Sequence, residues 1–183
     1  MNSLQKQVRH SALLLAALLG LSQCKKKDPS PEAQLPPATQ TGANTIGCLV
    51  NGKAWTPQGN NGSSNYTVSY DPNFRLGTLN IAAYRYANSQ AKQEALGVFS
   101  DSLLPSTGIY RLQTLGHHGA GYVNGPSNCT YYSTDATTHC RGELVITRLD
   151  RVNGIISGTF AFTLAKPGCD TVRVTNGRFD KRL

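Results

Sequence analysis

From residue 44 onward, turn signals interrupt the chain at roughly ten-residue intervals, and short runs of alternating apolar and polar residues lie between them. This spacing constrains the fold more than any other feature. "TIGCLV" (45–50) puts Ile46, Cys48 and Val50 on one face, "NG" (51–52) is a two-residue hairpin turn, and "KAWTP" returns. "YTVSY" (66–70), "RLGTLNIAAYRYA" (75–87), "ALGVFS" (95–100) and "GIYRL" (108–112) continue the pattern. In the second of these, Leu79, Ile81 and Ala83 face one way and Tyr84 and Tyr86 the other. "GELVITRLD" (142–150), "IISGTFAFTL" (155–164) and "TVRVTNGRF" (171–179) close the domain. Ile156, Phe160, Phe162 and Leu164 form an inner face. No stretch of twelve residues holds a helical period without Gly, Pro or a β-branched run. The expectation is an all-β fold: an antiparallel β-sandwich, or a partly open barrel, of about eight or nine strands. Residues 114–128, rich in Gly, Asn and His, read as a long loop with a short strand at Tyr122–Val123.

The N-terminus is of a different kind. Residues 1–11 carry Lys6 and Arg9 and no acid, and residues 12–21, "ALLLAALLGL", are wholly apolar or Gly. That is the layout of a secretory signal, and the run is too short to cross a bilayer as a helix, which needs about 20 residues. "LSQC" (21–24) resembles a bacterial lipobox, although Gln23 departs from the usual small residue before the cysteine. The resemblance implies cleavage after residue 23 and lipidation of Cys24, with an anchor of several acyl chains in the membrane. Residues 24–43 hold four prolines and almost no large apolar side chain, and read as a flexible, extended tether. The expected organisation is a signal peptide over 1–23, a lipidated tether over 24–43 and one β-sandwich domain over 44–183. The expected address is the cell envelope, the outer membrane being favoured, with the membrane as a partner through the lipid.

Four cysteines remain in the domain, an even number suited to an oxidising compartment. Three pairings are open. Cys129 and Cys140 bracket a ten-residue segment and suggest a crosslinked loop, which leaves Cys48 to pair with Cys169. Zinc is disfavoured because no C-x2-C spacing occurs.

"CLVNGKAW", "GIYRL" and "GELVITRLD…GIISGTFAF…DTVRVTNGRFD" together resemble a family of small lipoprotein domains of Bacteroidota without an assigned function. The resemblance covers most of residues 44–181. It implies an envelope address and a β fold, and it carries no catalytic residue.

The residues that could carry chemistry are few. From residue 44 on, 13 basic residues face 8 acids, a balance of +5 spread along the chain. No basic block is interleaved with aromatics, so nucleic acid is not an expected partner. His117 and His118, with His139 or Asp135, are the weak candidates for a metal site or a small hydrolase. No G-x-S-x-G elbow or phosphate-binding loop accompanies them. No cofactor is expected. The favoured reading is a non-catalytic binding or structural module for a glycan or protein. Its candidate contact aromatics are Trp55, Tyr84, Tyr86, Tyr131 and Tyr132, the Tyr131 segment being expected to be exposed.

Overall fold

The computed structural model describes residues 28–86 and 92–183. The signal segment and Cys24 lie outside the described residues. Eleven strands form two antiparallel sheets: β1 (Thr45–Val50), β2 (Lys53–Trp55), β3 (Tyr66–Asp71), β4 (Thr78–Arg85), β5 (Glu94–Ser100), β6 (Gly108–Gln113), β7 (His118–Asn124), β8 (Cys129–Tyr132), β9 (His139–Asp150), β10 (Ile155–Ala165) and β11 (Val172–Arg182). One sheet has six strands in the order β2-β1-β11-β10-β9-β6, and the other has five in the order β3-β4-β5-β7-β8. The fold is a β-sandwich, as expected, with eleven strands where about eight or nine were expected.

The expected inner faces meet in one core. Ile46, Cys48, Leu79, Ile81, Ile156, Phe160, Phe162 and Leu164 are all buried. The Asn51–Gly52 turn adopts positive φ at both positions (48° and 78°), which suits the right-handed twist of the β1–β2 hairpin. In the segment read as a long loop over 114–128, the short strand expected at Tyr122–Val123 is part of the longer β7, paired with both β5 and β8. Its glycines, taken from the sequence as loop residues, sit in the strand because aromatic rings occupy the places their side chains would take.

The tether expectation does not hold for residues 31–43. Pro31–Gln34 form one 3-10 turn, Leu35 is buried, and Arg178 holds Glu32 and the Pro36 carbonyl. The chain is then fixed by Asp180, which is 1% exposed. Its carboxylate accepts hydrogen bonds from Thr39 Oγ1 (2.6 Å), the Thr41, Gly42 and Ala43 amides (2.9, 2.8 and 3.0 Å) and Ser157 Oγ (2.7 Å). Prolines limit what the strap can do when unfolded, which lowers the cost of ordering it. The folded unit therefore begins near residue 31.

The cysteine pairing also differs from expectation. Cys129 is bonded to Cys169, and Cys48 and Cys140 are free and buried. Cys129 opens β8 at the edge of the five-stranded sheet, whereas Cys140 lies on β9 in the other sheet and points into the core. Cys169 sits in the β10–β11 turn beside β8, so the bridge joins the two sheets. Cys48 faces the core opposite Trp55. Burial pushes the Cys48 thiol up to about 12, against the pull of the Arg85 guanidinium, and the Cys140 thiol up to about 11. Both are inert, protonated core groups.

Non-reducing peptide mapping is expected to yield a Cys129–Cys169 fragment, with Cys48 and Cys140 alkylated only after unfolding. Removing the bridge by Cys129→Ala and Cys169→Ala should lower stability by about 4 kcal/mol, from the closure entropy of a loop of this length. A second test concerns acid. Burial alone would raise the Asp180 pKa, but the donors around it hold it well below the usual carboxylate range. The stability this supplies is therefore complete above the unfolded value near pH 4 and falls away as pH drops further. Asp180→Ala should cost about 2–4 kcal/mol by leaving those donors unpaired, and should flatten the acid limb of a denaturant–pH series.

Candidate functional site

The outer face of the five-stranded sheet carries a depression of about 320 Å³. Its floor follows one cross-strand row: Thr67 opposite Ala82, Ala82 opposite Gly97, Gly97 opposite Gly121, and Gly121 opposite Tyr132. Side chains alternate across a strand, so Tyr131 enters the core while Tyr132 stands outward at 52% exposure. A Cβ on Gly121 would lie 2.9 Å from the Tyr132 ring, so that ring leans over the glycine. One row away, a Cβ on Gly119 would meet the Phe99 ring at 2.5 Å. Two glycines of β7 thus seat two aromatic rings.

Gly97 is different. Its φ is not positive, and a Cβ there would meet only the Ile81 carbonyl, at an ordinary 3.7 Å. Neither backbone conformation nor packing requires glycine in the middle of this central strand, where it weakens the sheet. Glycine at such a place marks close approach by another group. The walls are Tyr84, Phe99 and Tyr132, and the rim carries Ser64, Thr67, Asn80 and Gln93. Among the described residues no charged side chain lines the depression. It offers flat aromatic and apolar surface, edged by amides and hydroxyls.

Of the five candidate aromatics, two line this depression. Tyr84 is mostly buried: its hydroxyl donates to Asn61 Oδ1 (2.6 Å) and accepts from the Asn61 amide (3.3 Å), so the 59–65 loop is drawn over the end of the groove. Tyr132 is the exposed ring. Tyr86 packs edge-on against Tyr84 with ring centroids 5.7 Å apart. Trp55 and Tyr131 are core residues, 0% and 1% exposed. The expectation of an exposed Tyr131 fails because its side chain passes between the sheets, where its hydroxyl donates to the Asp170 carbonyl.

Trp55 belongs to a part-buried polar junction that the sequence did not reveal. Glu94 accepts from Trp55 Nε1 (3.1 Å) and Tyr122 Oη (2.6 Å), and pairs with Arg85 through Nε (3.1 Å) and Nη2 (2.9 Å). Burial, and then the bond to Glu94, keep the Tyr122 hydroxyl protonated as a donor. Every group in the junction has a partner, as a structural network requires.

The histidines do not assemble a centre. His117 Nδ1 lies 2.9 Å from Asp101 Oδ1 and 2.9 Å from Ser102 Oγ, and Ser102 Oγ donates to the same Asp101 oxygen at 3.0 Å. These are the residue types of a hydrolase triad in a different arrangement. A relay needs the acid on one ring nitrogen and the serine on the other, and here both share Nδ1. The bond with His117 holds the Asp101 carboxyl below its ordinary range. His118 opens β7, shares a hydrogen bond with Ser100 Oγ (2.9 Å) and meets Tyr110 edge-on. Burial lowers its pKa, as does the neighbouring His117, so it is neutral at pH 7. Asp135 is held elsewhere by Lys166 at 3.1 Å, and His139 is exposed at the start of β9. Among the described residues no three His, Cys, Asp or Glu side chains are placed to hold a metal ion.

Residues 67–181 match a family described as "Domain of unknown function (DUF6252)". No curated protein and no solved structure matches the chain.

Proposed function

The chain belongs to the DUF6252 family, and from that premise we propose that it is a lipid-anchored cell-envelope protein whose sandwich binds an uncharged ligand, a neutral glycan, in the depression on the five-stranded sheet. The observation that carries the binding reading is the bare Gly97 between Tyr84, Phe99 and Tyr132. An aromatic ring stacks on the apolar face of a sugar, and the rim amides and hydroxyls bond its hydroxyl groups. An uncharged lining suits a ligand without charge. The membrane attachment rests on the basic–apolar–"LSQC" pattern ending at Cys24, with the outer membrane as the favoured address.

Two experiments separate these claims. For the site, Gly97→Val places a β-branched side chain in open space. It should leave stability unchanged or raise it by up to about 1 kcal/mol, and abolish binding to the glycan that the unmodified protein selects from an array of neutral oligosaccharides. Tyr132→Ala should weaken that binding by about 1–2 kcal/mol. An array that returns no neutral glycan, or binding indifferent to both substitutions, sinks the reading. For the anchor, cells fed a labelled fatty acid should label the wild-type protein and not Cys24→Ser. Label retained in the variant would refute lipidation at Cys24.

A further inference from the structure

The outer face of the six-stranded sheet has the opposite character. Gln113, Arg141, Thr163 and Arg173 form one cross-strand row over β6, β9, β10 and β11. Arg111 stands two residues along β6 from Gln113, on the same face, opposite Glu143. All three arginines are exposed. Among the described residues none of their guanidinium groups makes a salt bridge or hydrogen bond, although five other Lys and Arg side chains are paired with acids. Arg111 and Arg141 line a shallow depression of about 820 Å³ whose floor is kept low by the outward Ala161, and Arg173 stands beside it at the end of the row. Among the described residues Glu143 is the one acid lining the depression, and the three guanidiniums outweigh it. The strap of residues 31–43 covers the neighbouring end of the sheet and leaves this end bare.

We infer that this face binds an acidic polysaccharide, a chain bearing repeated carboxylate or sulfate groups. Guanidinium is the cation best matched to such groups, because its planar fork donates two hydrogen bonds to one anion. Arg141 and Arg173 stand two strands apart, roughly 10 Å, so they engage successive groups of an extended chain rather than one small ion. The outward side chains of the depression are Arg, Gln, His, Glu, Ala and Thr. It lacks the aromatic platforms that single-stranded nucleic acid requires. It also lacks the buried apolar anchor around which a protein interface is built. The inference stands on residues of the six-stranded sheet and is independent of the neutral depression on the other one.

The test uses the full-length protein in a neutral detergent, with polygalacturonate, dextran sulfate, uncharged dextran and single-stranded DNA as probes. Binding to the two acidic polymers and not to dextran is expected, weakening steeply between 50 and 200 mM salt. Arg141→Glu with Arg173→Glu should reduce it at least about tenfold. Arg75→Glu with Lys92→Glu makes the same charge change in the β3–β4 and β4–β5 connections of the other sheet and should reduce it less than about twofold. Circular dichroism confirms folding of both double variants, whose substituted side chains all face solvent. Equal losses in the two pairs would reduce the effect to net charge and overturn the site. So would failure of both acidic polymers to bind, or DNA binding as tightly through the same arginines.

Discussion

The sandwich depends on one carboxylate at the seam between its sheets. Glu94 belongs to the five-stranded sheet and Trp55 to the six-stranded one, and the indole N–H reaches across to it. A buried indole needs an acceptor, and a buried carboxylate needs a cation and further donors. Here each supplies the other's requirement, and Arg85 and Tyr122 complete the set. Arg85 also lies over the Trp55 ring at 5.5 Å and bonds the Ala54 carbonyl. The edge strand β2 is only three residues long, and this junction ties it to the opposite sheet. Removing Glu94 would leave the indole N–H of the buried Trp55 and the Tyr122 hydroxyl without their acceptor, which costs more than the bond itself gains.

The far corner is closed by different chemistry. There the Cys129–Cys169 bridge, the Tyr131 hydroxyl on the Asp170 carbonyl, and Lys166 on Asp135 and the Thr130 carbonyl all join β8 to the β10–β11 turn. Covalent closure suits this corner because β8 is a four-residue edge strand with little apolar surface of its own. With both corners fixed from within, neither outer face is needed to hold the sheets together. The Asp180 strap covers part of the six-stranded sheet, and the remaining outer surface is left to other uses.

The inward alternation of the long strands was legible in the sequence, because period-two burial leaves a direct mark: Leu79, Ile81 and Ala83, and Phe160, Phe162 and Leu164, all point where the pattern puts them. Contacts that join elements distant in the chain left no such mark. The cysteine pairing was set by which strands of the two sheets lie together, and sequence proximity favoured the wrong partner for Cys129. Asp180 follows the last strand pattern, a place where an aspartate ordinarily bonds nearby backbone. It instead serves donors about 140 positions earlier in the chain. β7 was legible only as a short strand at Tyr122–Val123, because a glycine that seats an aromatic ring is the same letter as a glycine that bends a loop. Beside the candidate aromatics Tyr84 and Tyr132, the isolated Gly97 in "ALGVFS" was a further readable signal of the depression, since a lone glycine inside a strand pattern asks for a reason.

The two outer faces differ in charge in a way that follows from how each stays soluble. A bare sheet face risks pairing or stacking with other sheets. Arg111, Arg141 and Arg173 guard the six-stranded sheet by carrying unpaired charge, a device compatible with binding anions. Among the described residues no charged side chain lines the depression of the five-stranded face, so its protection comes from shape: the 59–65 loop, the Phe99 ring and the Tyr132 ring rise around a floor of small residues. A floor sunk below its rim is closed to a flat partner and open to a narrow one. A larger residue at position 97 would fill the depression and improve the strand. That glycine is present instead means the face forgoes local stability to remain concave, a cost expected where the hollow itself is used.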